Sequence, residues 1–443
     1  LPGLMSSGDL EGAYRLLSNE AVDYQRLFAA HADRVAERSA GVGRVFVIHD
    51  TTELAFPLRG GQLREGLSKL STNRQGFYLH SSLVVADDES RCPLGTIAAQ
   101  AYVHRSQLSA PEALAFWKKR HGLFDNEHDR WLAGVQEAER RLAGSERVVH
   151  LCDREGDSYP LLSTLVARGH QFVIRLTHDR QVQSYAGLLE PVSEALAWST
   201  WRRTTRTLPV AARQGDRSDK DKRANPDRPA RIATLSFRSR RVGLLRPENQ
   251  AAAELPARVD VNLVEVLERT PPPGQEPVRW VLATSLPVNA VADVLAVVDA
   301  YRKRWVIEEW HKAIKTGCAY EKRQLESAHA LLNLLVLTLP VATDLMLLRH
   351  LADEQPDTPA DRVFSELELA VLAVAVAGRL KLLAKPTILQ VRDAIAALGG
   401  HLKRNGAPGW ITLLRGYVEL RSLVEGARIG LALAGRKDGA EKM

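Results

Sequence analysis

Two short β-branched runs, each ending in an aspartate, are the feature that most constrains the fold. RVFVIHD (44–50) predicts a strand with Asp50 at its carboxyl end, and RVVHLCD (147–153) predicts another that ends in Asp153. Acids in such positions point into the crevice where sheet proteins usually bind ligands. Aspartate is also a good helix cap and turn residue, an alternative that is serious for Asp153, which precedes a predicted helix, and weaker for Asp50.

The surrounding pattern predicts an α/β layer fold with a mixed sheet. Further strands are predicted at 77–86, 95–104 and 171–176, and helices at 20–40, 111–143 and 158–169. From about residue 196 the chain becomes rich in Thr, Val and Arg around a polar loop, which predicts a β-rich insertion over 196–285. The rest is predicted to be helical over 291–328 and mostly helical over 329–443, with breaks at Pro356 and at Gly399–Gly400.

Composition narrows the choice of partner and compartment. The chain has 60 Lys and Arg against 53 Asp and Glu, a net charge of +7 that favours an anionic partner. Its three cysteines form neither a disulfide framework nor a zinc spacing, which predicts a reducing, cytoplasmic location. The most apolar run, ALLNLLVLTLPVAT (330–343), is interrupted by Asn333 and Pro340. It is predicted to be a buried helix too short to cross a bilayer, so no membrane partner is expected.

A charged segment, YRKRWVIEEWHKAIK (301–315), predicts a helix with an unusual face. Tyr301, Arg304, Glu308, Lys312 and Lys315 fall within an arc of roughly 80° on a helix that advances about 100° per residue. The alternative is an ordinary solvated face, with i,i+4 ion pairs contributing only ~0.3 kcal/mol each. Taken alone, the helix favours the ordinary solvated face. The two aspartates at strand ends favour a functional site instead.

Three carboxylates together predict a metal centre for phosphoryl transfer. Asp50, Asp153 and Glu308 offer the hard oxygen ligands that Mg²⁺ prefers. Two such ions, about 3.5–4 Å apart, activate the attacking oxygen and stabilise the leaving oxygen of a phosphodiester. The basic residues on the same helix face would then contact phosphates that flank the scissile bond.

The spacing Tyr301-x2-Arg304-x3-Glu308-x6-Lys315 resembles the Y-R-E-K signature of bacterial cut-and-paste DDE transposases of insertion-sequence family four. Other segments resemble the same family, and together they extend over essentially the whole chain: RWVIEEWHKAIKTG (304–317), DTTEL (50–54), CDREGDSY (152–159), RPARIATLSFRS (228–239) and LGGHLKRNGAPGW (398–410).

The resemblance implies an α/β fold with an RNase H-like catalytic core, a β-rich insertion and a helical C-terminal domain. The core would comprise 41–195 and 286–328, with the insertion at 196–285 between them. Residues 329–443 resemble the region that members use for dimerisation, although apolar helices are equally compatible with a local core. Residues 1–40 resemble the last part of a helical DNA-end-binding domain, so an N-terminal truncation and impaired specific end binding are expected.

The resemblance also implies roles for individual residues. Asp50, Asp153 and Glu308 resemble the catalytic, metal-binding triad, which would take two Mg²⁺ ions, with Mn²⁺ as a substitute. The residues that resemble DNA contacts are Tyr301, Arg304, Lys312, Lys315, Arg175 and Trp280. Trp280 would stack on a flipped base, although a lone tryptophan in a strand is more often a core residue.

The implied partners are double-stranded DNA, at the transposon ends and at the target, and a second copy of the chain in the synaptic complex. The implied reactions are hydrolysis at the transposon end, hairpin formation, hairpin opening and strand transfer into target DNA. Two other hypotheses remain at this point: a DNA-binding protein of the same fold without turnover, and a metal-dependent hydrolase such as a glycosidase. The basic stripe disfavours the glycosidase, because a neutral sugar gives those cations no purpose.

Overall fold

The computed structural model describes residues 7–87, 92–104, 115–118, 127–184, 186–213, 227–250, 255–402, 404 and 406–440. Within these residues, twelve strands form one mixed sheet in the order β2-β3-β1-β5-β6-β12-β11-β10-β7-β8, with β4 also paired to β3 and β9 to β10. The strands are β1 Val45–Pro57, β2 Ser68–Ser71, β3 Arg74–Ala86, β4 Pro93–Tyr102, β5 Val148–Cys152, β6 Gln171–Arg175, β7 Gln181–Gln183, β8 Leu189–Pro191, β9 Thr205–Val210, β10 Arg231–Leu245, β11 Arg258–Glu268 and β12 Arg279–Thr284.

One half of the sheet carries the two aspartates. β4, β3 and β1 are antiparallel neighbours, whereas β5 and β6 run parallel to β1. The central parallel strands are almost wholly buried, in keeping with their unbroken apolar runs. The predicted α/β fold with a mixed sheet is confirmed.

The β-rich segment extends this sheet rather than forming a sheet of its own. β12 pairs antiparallel with core strand β6, β11 pairs with β12, and β10 pairs with β11. β10 also pairs with β7, which precedes residue 196. The hydrogen-bonded ladder is therefore continuous from the predicted core into the predicted insertion. The domain boundaries themselves stay predictions.

Helices cover the sheet and make up the end of the chain. They are α1 Ser7–Ser18, α2 Tyr24–Ser39, α3 Glu127–Arg141, α4 Tyr159–Ala167, α5 Val192–Ala197, α6 Val291–Arg302, α7 Trp305–Lys312, α8 Ala328–Glu354, α9 Glu366–Val376, α10 Ile388–Leu398 and α11 Trp410–Ala440. Side-chain caps set several starts: Asp23 accepts from two backbone N–H groups of α2, and Ser158 caps α4. Of the helix predicted over 111–143, residues 111–114 and 119–126 lie outside the described residues.

α8 corrects the prediction that Asn333 and Pro340 interrupt the most apolar run. The helix continues through both to Glu354 and, at 27 residues, is long and apolar enough to cross a membrane by length and composition. Inside the protein, 72% of its most apolar 18-residue window is buried, which is typical of a core helix. Asn333 is tolerated because its side-chain amide donates to the carbonyl oxygens of Leu17 and Val22, at 2.9 and 3.2 Å.

Candidate active site

Asp50 and Asp153 lie where the parallel pairing of two strands stops. The prediction that the first strand ends at Asp50 is wrong. β1 continues to Pro57, because its antiparallel pairing with β3 extends over the whole strand. Its parallel pairing with β5 ends at the pair His49–Cys152. Asp50 is the next residue of β1, and Asp153 directly follows the last residue of β5. The predicted crevice between the two acids thus arises from the end of this ladder.

Asp153 serves as a cap as well as lying near Asp50. Its Oδ1 accepts from the backbone N–H of Glu155 at 2.8 Å and so begins the 3₁₀ turn Arg154–Gly156. The following α-helix has its own cap, Ser158. The capping alternative for Asp153 is therefore correct for the short turn, and it orients the carboxylate at the mouth of the crevice.

The two aspartates interact unfavourably as a bare pair. Asp50 is 9% exposed. Burial, and next the negative charge of Asp153, raise the pKa of Asp50 to about 7, against the opposing effect of Arg304. A proton or a bound cation would therefore stabilise the site by reducing its negative charge.

Arg304 joins Asp50 to Glu308. Its Nη1 lies 3.3 Å from Oδ2 of Asp50, and its Nη2 lies 2.7 Å from Oε1 of Glu308. The Arg304 side chain is 9% exposed and that of Glu308 is 43% exposed, so the third acid faces solvent while the guanidinium sits inside. The three predicted acids are brought to one site, with a cation of the protein's own between two of them.

The helix predicted over 301–315 is interrupted, so the five side chains of the predicted arc do not lie on one regular helix. α6 ends at Arg302, α7 begins at Trp305, and the end of α7 widens into a π turn over Ala313–Gly317. The turn between α6 and α7 is anchored by Lys303, whose Nζ lies 2.6 Å from Asp87 and 4.5 Å from the ring centroid of Phe46.

Three of the predicted DNA contacts gather beside the acids. Tyr301 is buried and hydrogen-bonds the guanidinium of Arg175; burial raises the pKa of Tyr301, and the nearby cations Arg304 and Arg175 oppose this. The Trp280 ring packs on Tyr301 with centroids 5.6 Å apart and is 7% exposed. This burial fits the core alternative for Trp280, and the stacking role stays a prediction.

The two lysines occupy the far end of α7. The Lys312 side chain is 57% exposed and pairs with Glu309 at 3.7 Å, not with Glu308. Lys315 is half-buried; burial lowers its pKa, and the carboxylates of Glu321 and Glu53 oppose the shift. Lys312 lies one turn after Glu308 on α7, and Lys315 lies in the π turn that follows.

Trp305 is a candidate that reasoning from the sequence missed. It begins α7, is 54% exposed, and its ring lies 5.2 Å from the guanidinium carbon of Arg304. A large aromatic ring exposed beside a cluster of charges is uncommon away from binding surfaces. Its position directly after Arg304 was the available signal.

The carboxylates suit a hard divalent cation in chemistry, although they are not arranged as a preformed cage. Among the residues that the structure describes, no three His, Cys, Asp or Glu side chains lie close enough together to hold a metal ion. Arg304 instead pairs with both Asp50 and Glu308. Burial and the charge of Asp153 both raise the pKa of Asp50, so a positive charge beside these two acids would stabilise their ionised forms.

Comparison with known protein families gives an independent result. The family model described as "Transposase DDE domain" matches residues 43–341. The match extends from β1 into α8 and includes Asp50, Asp153 and Glu308, so the site described above lies wholly inside it. The chain belongs to the DDE transposase family.

Proposed function

We propose that this transposase cleaves DNA at transposon ends, releases a 3′-OH, forms and opens a hairpin, and transfers the strand into target DNA. The observation that carries this proposal is the cluster in which Arg304 joins Asp50 to Glu308 and the charge of Asp153 acts on Asp50. All of these steps are in-line phosphoryl transfers, so a single site with acids and phosphate-binding cations serves each of them.

Asp50, Asp153 and Glu308 would hold divalent cations, Mg²⁺ by preference and Mn²⁺ as a substitute. The donor set consists only of carboxylate oxygens, which suits these hard ions. Bound metal supplies activation of the attacking oxygen and stabilisation of the leaving oxygen. The carboxylate of Glu308 is exposed and can turn toward the aspartates once Arg304 is drawn away.

The neighbouring side chains would position DNA. The guanidinium of Arg304 exchanges its carboxylate partners for a phosphate, which matches its forked donors better than a single acid oxygen does. Arg175 and Tyr301 offer further donors on the same side of the site. Lys312 and Lys315 would contact phosphates farther along the duplex, since they lie at the other end of α7.

The strand order supports an RNase H-like core. β4, β3 and β1 are antiparallel, and β5 and β6 follow parallel to β1, so the first aspartate lies on the central strand and the second directly after its neighbour.

We also assign the C-terminal helices to a homodimer. Leu420 and Val424 of α11 are buried in a local core, whereas Ile429, Leu431 and Leu433 farther along are 55–63% exposed.

The decisive experiment compares two adjacent glutamates. The wild-type protein is incubated with Mg²⁺ and a duplex that carries the terminal repeat of its own element, and the products are separated on a denaturing gel. Glu308→Gln is expected to abolish nicking while DNA binding is kept. The matched control is Glu309→Gln, because Glu309 is similarly exposed on the same helix and pairs with Lys312.

Two outcomes would contradict the proposal. Nicking by Glu308→Gln at the wild-type rate would remove the third acid from the site. Binding without any product, in the wild type and in a version extended at its N-terminus, would favour the DNA-binding protein without turnover.

A further inference from the structure

A chain of buried polar side chains lies on the opposite face of the sheet from the catalytic acids. Ser82 Oγ lies 2.9 Å from His49 Nδ1, His49 Nε2 lies 2.9 Å from His150 Nδ1, and His150 Nε2 lies 2.8 Å from Glu139 Oε1. Ser82, His49 and His150 are fully buried. The Glu139 side chain, on α3, is 27% exposed and brings the chain to the surface.

For neutral imidazoles, hydrogen-bond chemistry gives this network a single direction. A carboxylate only accepts, so His150 donates from Nε2 to Glu139, and its Nδ1 is left as an acceptor. His49 must then donate from Nε2, and its Nδ1 accepts from the hydroxyl of Ser82. Each ring nitrogen of the two histidines has a partner in this arrangement, and burial keeps the pKa of His49 well below its usual value.

This series of hydrogen bonds links β1, which contains Asp50, to β5, which Asp153 follows. His49 directly precedes Asp50 on β1, and His150 lies on β5, two residues before Cys152, the pairing partner of His49. Because successive residues of a strand point to opposite faces, the histidines point to one face and the aspartates to the other. The parallel ladder contains the five pairs from Val45–Val148 to His49–Cys152, so the hydrogen bond between the histidines joins its last pair, His49–Cys152, to its middle pair, Val47–His150.

Helix α3 packs closely over this series of hydrogen bonds. Gly134 of α3 lies against it, and a Cβ at this position would lie 3.1 Å from Ser82 Oγ and 3.3 Å from His49 Nδ1. A helix that approaches so closely excludes solvent from these hydrogen bonds. Within a dry interior, a missing partner leaves a polar atom with no replacement.

We propose that the Ser82–His49–His150–Glu139 chain is a positioning network that holds Asp50 and Asp153 at the spacing needed to share a divalent cation. The network fixes the register of β1 against β5 at the end of their ladder, directly before both acids. This inference rests on the proposed function, because it assigns cation binding to the two aspartates.

Two substitutions of His150 distinguish a positioning role from a contribution to core packing alone. His150→Asn keeps an oxygen acceptor where Nδ1 lies and so keeps the link to His49. His150→Gln keeps a donor toward Glu139 but loses the link between the strands. A third variant, Leu372→Ala, removes a fully buried side chain from the core of the C-terminal helices and serves as a stability control.

The measurement is the affinity for Mn²⁺ by isothermal titration calorimetry, with the melting temperature of each variant recorded alongside. His150→Gln is expected to lose about tenfold or more in Mn²⁺ affinity, as is typical when groups behind metal ligands are removed. His150→Asn is expected to stay close to wild type, and Leu372→Ala to bind normally despite a lower melting temperature.

The outcomes distinguish this inference from the function on which it rests. If the wild type binds Mn²⁺ and nicks DNA but His150→Gln does so equally well, the positioning role is refuted and the transposase proposal stands. The same holds if affinity simply follows melting temperature across all variants. If the wild type binds no Mn²⁺ and makes no product, both proposals fail together.

Discussion

Among single residues, Arg304 has the surroundings that bear most directly on cation binding. Burying a guanidinium is costly unless its charge is compensated, and Asp50 and Glu308 provide that compensation. Its Nε is buried and has no hydrogen-bond partner among the described residues, so the guanidinium is not fully satisfied where it lies. If the acids bind metal as proposed, Arg304 would compete with the metal for them and would be available to a phosphate.

Replacing Arg304 with Met is therefore expected to act in opposite directions on two ligands. Mn²⁺ affinity without DNA should rise on the order of tenfold, a typical size for coupling between sites, because the competing cation is gone. DNA affinity should fall, since a phosphate contact is lost. Calorimetry and a fluorescence anisotropy assay measure the two effects.

Arg302→Met is the control, because Arg302 pairs with Asp299 at 3.6 Å, away from the acids. Weaker Mn²⁺ binding by Arg304→Met than by wild type would show that Arg304 supports the metal site instead of competing with it.

The two tryptophans near the site give a second prediction. Trp280 is 7% exposed, so Trp280→Ala should lower the free energy of unfolding by about 3–5 kcal/mol. Trp305 is 54% exposed, so Trp305→Ala should change it by only about 0.5 kcal/mol. If the exposed ring receives a flipped base, Trp305→Ala loses about 1–3 kcal/mol of stacking and hairpin formation suffers while nicking survives.

Chemical denaturation and a gel assay that separates nicked from hairpin DNA test this pair. Equal loss of nicking and hairpin in Trp305→Ala would argue against base stacking by that ring.

The sequence predicted which acids meet but not how the helix beside them is arranged. Asp50 and Asp153 follow from two local strand patterns. The turn after Arg302 depends on Lys303 reaching Asp87 and Phe46, residues far away in the sequence. Helical periodicity contains no information about such contacts, so the interruption between α6 and α7 was not predicted and Trp305 was overlooked.

Among the elements, the crossing of α10 and α11 is unusually close. A Cβ on Gly416 would overlap the carbonyl oxygen of Ile395, and one on Gly399 would overlap that of Thr412. Sequence predicted a helix break at Gly399–Gly400, and α10 does end at Leu398. The second role of Gly399, as a contact surface for α11, depends on tertiary packing and was not visible in the sequence.

Alanine at two glycines of α11 should have opposite effects. Gly416→Ala forces the helices apart and should destabilise the C-terminal region by about 1–3 kcal/mol, as overpacking does. A Cβ on Gly426 would meet no other atom within 4 Å, so Gly426→Ala should stabilise the helix by up to about 1 kcal/mol. Thermal denaturation of both variants tests this, and a neutral Gly416→Ala would refute the close crossing.

At the scale of the whole molecule, buried histidines predict sensitivity to acid. Burial lowers the pKa of His80 and of His311 from 6.5 to about 3. At these two histidines the unfolded chain binds more protons than the folded chain between pH 6.5 and 3, so they make stability fall as pH falls below about 6.5, and the raised pKa of Asp50 opposes them by at most one proton. Each histidine contributes a slope of at most about 1.4 kcal/mol per pH unit.

Urea unfolding at pH 7.5, 6.5 and 5.5 measures this slope. His311→Gln is expected to make it shallower, whereas the exposed His178, replaced in the same way, should leave it unchanged. A slope that is the same in wild type and His311→Gln would assign the acid sensitivity to other groups.

The continuity of the sheet has a consequence for any attempt to shorten the protein. Core strand β6 is paired with β5 on one side and with β12 on the other. Deleting residues 196–285 would remove β12 and leave the backbone of an apolar strand open along that edge. Such an edge recruits the matching edge of another molecule, so the trimmed protein would aggregate edge to edge rather than yield a minimal nuclease.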